Sequence, residues 1–355
     1  MRLVLTGGGT GGHILPNIVL IQELKKRHGR ELELLYVGSR RGMERKMIGD
    51  IGVRYKGIFT GKIRRYFSLR NALDLFLLPI GIVQALFILM GFRPKVVFSK
   101  GGFVSFPVTV AARMLGIPVV LHESDVVPGL ANKVMGKFAR KICVAYGETA
   151  KFFESGKVTL TGNLVRCDIV RGDRAAALDF TGLKGNKPVL LFMGGSLGAQ
   201  FLNDFVLDNL DDLLKEYEVV HICGAGKVRE VKRRGYCAFE YVGDEMKDLY
   251  ALADIVVSRS GANTLAELAA LGKPAILIPL GKNASRGDQI INARAYAKEH
   301  SAIVILEDEF NKKAFFADLK RLLAEHPEGG GGGLEALASS GGSAVDKIIT
   351  LLEEL

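Results

Sequence analysis

Short apolar, β-branched runs alternate with longer amphipathic stretches along the whole chain. Runs at 3–6, 32–37, 96–99, 119–122, 142–145 and 158–161 predict strands in the first half. Those at 189–193, 219–223, 239–242, 255–258, 275–279 and 303–306 do so in the second. Apolar positions at helical spacing mark 14–27, 199–214, 264–271 and 314–325 as helices. Strands alternating with helices build parallel sheets with right-handed crossovers, covered on both faces. The rhythm runs twice, and each half opens alike. Leu3-Val4-Leu5-Thr6 leads into Gly7-Gly8-Gly9, and Leu190-Leu191-Phe192-Met193 leads into Gly194-Gly195-Ser196. The expectation is an α/β protein of two Rossmann-like, doubly wound domains, 1–162 and 163–342. They should face each other across a cleft where the carboxyl ends of both sheets converge. A C-terminal helix at about 343–355 is expected to pack back on the first domain.

Two segments break the rhythm. Residues 75–92 are almost wholly apolar, but these 18 residues fall short of a membrane span, which needs about 20. Pro79, Gly81 and Gln84 interrupt the run, and a span there would cut the first sheet in two. A buried core helix accommodates the run. So does a helix resting on an anionic membrane surface, which the flanking cations favour: Lys62, Arg64, Arg65 and Arg70 before it, Arg93 and Lys95 after it. Residues 329–333 are five consecutive glycines, the composition of a flexible linker.

Composition narrows the class. The 355 residues are 48% hydrophobic and 24% charged, which excludes a wholly disordered chain. Four cysteines (Cys143, Cys167, Cys223, Cys237) form no C-x-x-C pair, against a zinc site or disulfide framework and in keeping with a reducing compartment. The net charge of +10 is unevenly placed. Residues 1–162 carry 25 Lys and Arg against 10 Asp and Glu, whereas 163–355 carry 23 against 28. An anionic partner is expected on the first half: lipid headgroups, nucleic acid or a phosphorylated substrate.

The glycines carry the chemistry. Gly7-Gly8-Gly9-Thr10-Gly11-Gly12-His13 follows a strand and opens a helix, so backbone N–H groups can face an anion or sugar oxygens. The segment satisfies G-x-G-x-x-G, yet the second strand ends in Gly38-Ser39-Arg40-Arg41 rather than an acidic residue. Those arginines suit a 2′-phosphate, so an NADP-dependent oxidoreductase fits this motif alone. A basic-faced nucleic-acid binder fits the charge alone. Neither explains the second half, where Gly194-Gly195-Ser196-Leu197-Gly198-Ala199 and Ser258-Arg259-Ser260-Gly261 each pass from a strand into a helix. Glu267 lies about one turn into the latter helix, where a carboxylate can take two ribose hydroxyls or simply complement the helix dipole.

The stretches GGGTGGH at 7–13, KGGFVSFP at 100–107, GIPVVLHES at 116–124 and GNLVR at 162–166 extend the pattern. GGSLGA at 194–199, SRSGANTLAE at 258–267, GKPAILIP at 272–279 and DQIINA at 288–293 complete it. Together they resemble the bacterial glycosyltransferases that add N-acetylglucosamine to the lipid-linked muramyl-pentapeptide precursor of peptidoglycan. The resemblance implies the GT-B fold, UDP-N-acetylglucosamine as donor and undecaprenyl-pyrophosphoryl-MurNAc-pentapeptide as acceptor, with no cofactor, metal or nucleic acid. It also implies peripheral association with the cytoplasmic face of the cell membrane. Carried over, Thr10, Gly11 and Gly12 border the donor sugar and acceptor, and Arg166 and Ser196 hold the diphosphate. Gly243, Ala262, Asn263, Thr264, Leu265, Ala266 and Glu267 take uridine and ribose, and Gln289 takes sugar hydroxyls. Two positions depart from the family. His122-Glu123-Ser124-Asp125 stands where His-Glu-Gln-Asn is usual, so a donor-contacting Asn is Asp125, and Phe103 stands where a Tyr commonly follows the paired glycines.

Inversion by single displacement then requires a base for the acceptor 4-hydroxyl and stabilisation of the leaving diphosphate. His13, at the mouth of the first glycine loop, is the candidate base, with Glu123 as the second. Helix N-termini with Arg166 can meet the diphosphate charge without Mg²⁺, and no Asp-x-Asp occurs. His28, His221, His300 and His326 fit no constellation.

Overall fold

A computed structural model of the protein describes residues 1–61, 69–166, 168–195, 198–281, 287–327 and 343–355. The chain divides into two units, one of Met1–Leu164 with Ser343–Leu355 and one of Val165–Gly342. Each is organised by one parallel sheet.

The first unit runs β1 (Arg2–Thr6), α1 (Gly11–His28), β2 (Glu33–Ser39), α2 (Glu44–Asp50), β3 (Arg54–Ile58) and α3 (Leu69–Phe92). It continues through β4 (Val96–Ser99), α4 (Phe106–Met114), β5 (Val119–Glu123), α5 (Leu130–Gly136), β6 (Lys141–Val144) and β7 (Val158–Leu160). The strand order is β3-β2-β1-β4-β5-β6-β7. The chain winds outward from β1 to β3, then re-enters beside β1 with β4, so the order reverses between those two strands. Leu3, Val4 and Leu5 are fully buried, as continuous apolar runs must be when helices cover both faces of a sheet. The strand β3 has no counterpart among the runs expected from the pattern. It is an edge strand whose Arg54, Lys56 and Gly57 face solvent, and edges are kept polar against unwanted pairing.

The helix α3 contains the apolar run. Gly81, Ala85 and Leu89 form its buried face, and a Cβ at Gly81 would collide with the Phe59 carbonyl. Gln84, the polar interruption, accepts from the Phe59 N–H at 2.8 Å. The other face stays apolar and exposed: Ile80 at 46%, Val83 at 49%, Phe87 at 68% and Met90 at 45%, a stripe at spacings of three and four. Among the described residues no helix is long and apolar enough to cross a membrane. Lys62, Arg64 and Arg65 of the flanking basic group, Cys167 and the glycines 329–333 lie outside the described residues, as does the side chain of Arg70.

The second unit runs α6 (Arg174–Thr181), β8 (Val189–Met193), α7 (Gln200–Asp208), α8 (Leu210–Glu216), β9 (Glu218–Ile222), β10 (Tyr236–Phe239) and α9 (Met246–Leu252). Then follow β11 (Ile255–Ser258), α10 (Ala262–Leu271), β12 (Ala275–Leu277), α11 (Asp288–Tyr296), β13 (Ala302–Val304) and α12 (Lys312–Glu325). The order β10-β9-β8-β11-β12-β13 reverses between β8 and β11. Two expectations shift. The single helix read at 199–214 breaks at Asn209, whose side chain bonds the Phe205 carbonyl at 2.8 Å and competes with the helical ladder. The strand read at 239–242 sits earlier, at β10, where Tyr236 is buried.

The chain ends in α13 (Ala344–Glu353), capped by Ser343 and counted with the first unit. Val345, Ile348, Ile349 and Leu352 join the core of Leu3, Leu20 and Leu24. Arg27–Asp346 at 2.5 Å and His28–Glu353 at 2.8 Å rim the contact.

Candidate active site

In open α/β sheets a ligand is bound beyond the carboxyl ends of the strands, at the point where strand order reverses. In the first unit that point lies between β1 and β4, and the loops there are 7–12 and 100–103. Gly9 adopts a φ of +84°, and a Cβ on it would stand 2.6 Å from the Phe103 ring, so this backbone and this contact both demand glycine. Gly102 is a seat for His13: a Cβ there would come within 3.1 Å of imidazole Cδ2 and Nε2. His13 is half-buried at the start of α1, whose N-cap Thr10 makes no side-chain cap. Thr10 and Gly12 are exposed, Gly11 buried.

The loop rests on a polar floor. Asn17 Nδ2 reaches the Thr6 and His13 carbonyls at 3.3 Å and the Tyr36 hydroxyl at 2.9 Å, and that hydroxyl donates to the Gly7 carbonyl at 2.9 Å. Glu44, fully buried, accepts from Ser39 N–H at 2.9 Å and Ser39 Oγ at 2.6 Å. None of Asn17, Tyr36 and Glu44 stands out in the sequence, because an acidic residue opening a short helix usually reads as a dipole partner.

Behind this loop lies an ionisable cluster. Glu123 ends β5 and is 3% exposed. It accepts from Asn132 Nδ2 at 2.8 Å, Asp125 N–H at 3.0 Å and Gly129 N–H at 3.3 Å. Burial first, then the neighbouring Asp125 charge, pushes its carboxyl up to about 7, against the pull of those hydrogen bonds and of Lys100. Asp125 itself is half-buried. Lys100, 1% exposed at the end of β4, is driven down to about 8 by burial, with Glu123 and Asp125 holding it up. His122 is buried with its Nε2 3.0 Å from the Gly162 carbonyl, and burial keeps it neutral.

In the second unit the reversal falls between β8 and β11, beside Gly194 and Gly195, which follow β8, and the start of α10. A Cβ at Gly198 would collide with the Cys223 carbonyl. That carbonyl accepts from Asn203 at 3.0 Å, Asn203 Oδ1 meets His221 Nε2 at 3.0 Å, and His221 Nδ1 meets the Tyr236 hydroxyl at 3.1 Å. Burial lowers His221 to about 4, so this chain is neutral support for the turn. His221, unassigned in the sequence, is thereby structural. Ser196 lies outside the described residues.

The helix α10 begins at Ala262 after Gly261 without a side-chain cap. Ala262, Asn263, Thr264 and Ala266 are half-buried and Leu265 is buried. One turn in, the Glu267 carboxylate accepts from the Tyr250 hydroxyl at 2.8 Å. Burial raises its pKa, while that hydrogen bond and the Arg166 charge lower it. Arg166 thus sits within electrostatic reach of Glu267, and it bonds Asp244, next to Gly243, at 3.4 Å. Gln289 joins the same edge: its backbone carbonyl accepts from Ser260 Oγ at 2.8 Å and its side-chain oxygen from Leu280 N–H at 3.0 Å. Arg259, prominent in the motif, is buried against the Ile278 and Pro279 carbonyls and paired with Glu307, a structural post. Tyr250 gave no signal in sequence, since a tyrosine in an apolar helix face reads as core.

Two parallel α/β units with glycine turns at both reversal points define a two-domain glycosyltransferase of Rossmann-like layout. The chain belongs to glycosyltransferase family 28, matching its N-terminal domain over residues 3–144 and its C-terminal domain over 189–329. It is 44% identical to the UDP-N-acetylglucosamine--N-acetylmuramyl-(pentapeptide) pyrophosphoryl-undecaprenol N-acetylglucosamine transferase of Lachnospira eligens, over 99% of both chains. The enzyme of the same name from Clostridium kluyveri is 43% identical, again over 99% of both. Among solved structures, MurG of Acinetobacter baumannii aligns over 100% of both chains with a TM-score of 0.73 at 23% identity, which establishes the shared fold.

Proposed function

We propose that the chain transfers N-acetylglucosamine from UDP-N-acetylglucosamine to the 4-hydroxyl of undecaprenyl-pyrophosphoryl-MurNAc-pentapeptide (lipid I), giving lipid II and UDP with inversion. The observation that carries this reading is 44% identity, over 99% of both chains, to a relative named for that one reaction. The site residues support it. His13 is partly exposed at the loop mouth, whereas Glu123 is buried and held by three donors, so His13 has the better access to an acceptor hydroxyl. As that proton leaves, charge grows on the departing diphosphate. Arg166, the start of α10 and the 194–199 segment with Ser196 receive it. Glu267 takes the ribose hydroxyls, Gly243 and residues 262–266 the uridine, Gln289 the sugar, and Thr10, Gly11, Gly12 and Asp125 border donor and acceptor. No metal is required in this scheme. The test is product formation from UDP-N-acetylglucosamine and a lipid-linked acceptor, alongside thermal shifts with UDP, UDP-N-acetylglucosamine and NADP. Stabilisation by NADP alone would overturn it.

The acceptor is a membrane lipid, so the enzyme must meet a bilayer. The exposed apolar stripe of α3, on the strongly basic half of the chain, supports peripheral docking on an anionic cytoplasmic leaflet. Phe87→Glu should weaken binding to anionic vesicles about tenfold or more in co-sedimentation and leave turnover of a water-soluble acceptor analogue unchanged. Undiminished vesicle binding would remove α3 from the role.

A further inference from the structure

Lys100, at the first unit's reversal point, is a buried cation that the reaction scheme does not use. Its Nζ is buried and makes no hydrogen bond. Its backbone N–H is fixed to the Thr6 carbonyl at 3.0 Å, so the side chain starts directly beside the glycine loop, with its Cβ 3.3 Å from where a Gly7 Cβ would stand. A buried cation without a partner is costly, and proteins tolerate one where opposite charge lies close. Here the opposite charges come from β5 and the residue just beyond its neighbour, Glu123 and Asp125. The remaining groups of the cluster are His122 on β5, neutral Asn132 on α5, and His13 on α1.

Asp125, two residues beyond Glu123, bears on it directly. A carboxylate there repels Glu123, which an amide would not. We propose that Lys100 is a positioning residue that offsets the Asp125 charge, so that Glu123 stays a carboxylate and keeps its three donors. Glu123 then acts through Asn132, whose Nδ2 it holds at 2.8 Å and whose Oδ1 accepts from the Gly102 N–H at 3.2 Å. Gly102 is the seat of the His13 imidazole. Protonation of Glu123 would put a hydrogen where a donor now points, loosening Asn132 and with it the seat. Lys100 thus sets the acid limit of activity without itself touching substrate.

This rests on the transferase reading, and the test separates the two. Profiles of kcat against pH are measured for wild type, Lys100→Met, Asp125→Asn and the double variant. Methionine keeps the length and apolar stem of lysine. Lys100→Met should move the acid limb upward by about one pH unit, about a tenfold loss on that limb, with the KM for UDP-N-acetylglucosamine unchanged. Asp125→Asn should move it down, and the double variant should return near wild type. A uniform loss of kcat with the limb unmoved, or a double variant worse than both singles, would overturn the proposal. Thermal unfolding against pH gives a readout independent of activity. A carboxyl raised in the folded state adds stability below its unfolded pKa that is lost as pH rises through the folded value. For Glu123 that loss should finish near pH 7 in wild type, at higher pH in Lys100→Met and at lower pH in Asp125→Asn. Identical curves for all three would sink the proposal even if transfer is confirmed.

Discussion

The two glycine loops share a topology and differ in what stands behind them. Both follow the strand next to a reversal of order, and both open helices without a side-chain cap. Beneath the first lie the carboxyl and amino side chains of Glu44, Lys100, Glu123 and half-buried Asp125, with burial shifting Lys100 and Glu123. Beneath the second lies the neutral chain Asn203–His221–Tyr236, its histidine kept uncharged by burial. The difference matches the division of labour in the proposed reaction. Where a proton must move, the support is titratable and its balance is tunable. Where a fixed negative charge must be received, the support is neutral and leaves the positive field to Arg166 and the helix start.

The sharpest way to break this comparison is His13→Ala. Losing a base acts on the transition state, so kcat should fall by about 10²–10⁴-fold with the donor KM nearly unchanged. Steady-state kinetics with near-normal turnover would move the role to Glu123.

Glu267→Ala probes the other unit and should leave the chemical step alone. Losing charge-assisted hydrogen bonds to ribose should weaken UDP and UDP-N-acetylglucosamine equally, by about 10- to 100-fold. Calorimetry returning wild-type UDP affinity would take the ribose from Glu267.

How far this contrast could be read without coordinates depends on what each residue's role rests on. The glycine loops and buried strands were legible because their signal is local: continuous apolar runs such as Leu190-Leu191-Phe192, then glycines. The strand β3 was not, since Arg54 and Lys56 give an exposed edge no apolar signature. Short helices such as α2 and α9, seven residues each, span too few turns to show a period. Likewise the residues now seen behind the loops depend on distant partners. Lys100 in a sequence reads as a solvated strand end, and only the packing of β4 between β1 and β5 makes it a buried cation. Tyr250 meets Glu267 across 17 residues, and Asn203 meets His221 across 18.

Tyr250→Phe sharpens the second unit's side at a smaller scale. If Glu267 holds ribose as a carboxylate, its ionisation governs affinity: burial raises its pKa, and the Tyr250 hydroxyl counteracts that. UDP affinity should therefore fall as pH drops, and removing the hydroxyl should move that fall to higher pH. At neutral pH the loss should be about 3- to 10-fold. An unmoved pH dependence would make the hydrogen bond a packing detail.

The smallest effect expected is none: turnover should survive EDTA. A diphosphate leaving group needs positive charge in the transition state, which a metal or preorganised protein dipoles can supply. Here Arg166 stands within electrostatic reach of Glu267 on α10, whose N-terminus begins at Ala262 after Gly261. The support beneath Gly198, Asn203–His221–Tyr236, is neutral and adds no charge of its own. If Arg166 and the helix start carry the charge, chelation should leave kcat and the donor KM at their values in untreated enzyme, while Arg166→Ala should lower kcat in both conditions alike. A strict Mg²⁺ requirement, with Arg166→Ala rescued by added metal, would transfer the electrostatic task to a cation and undo the contrast between a titratable first unit and a self-sufficient second.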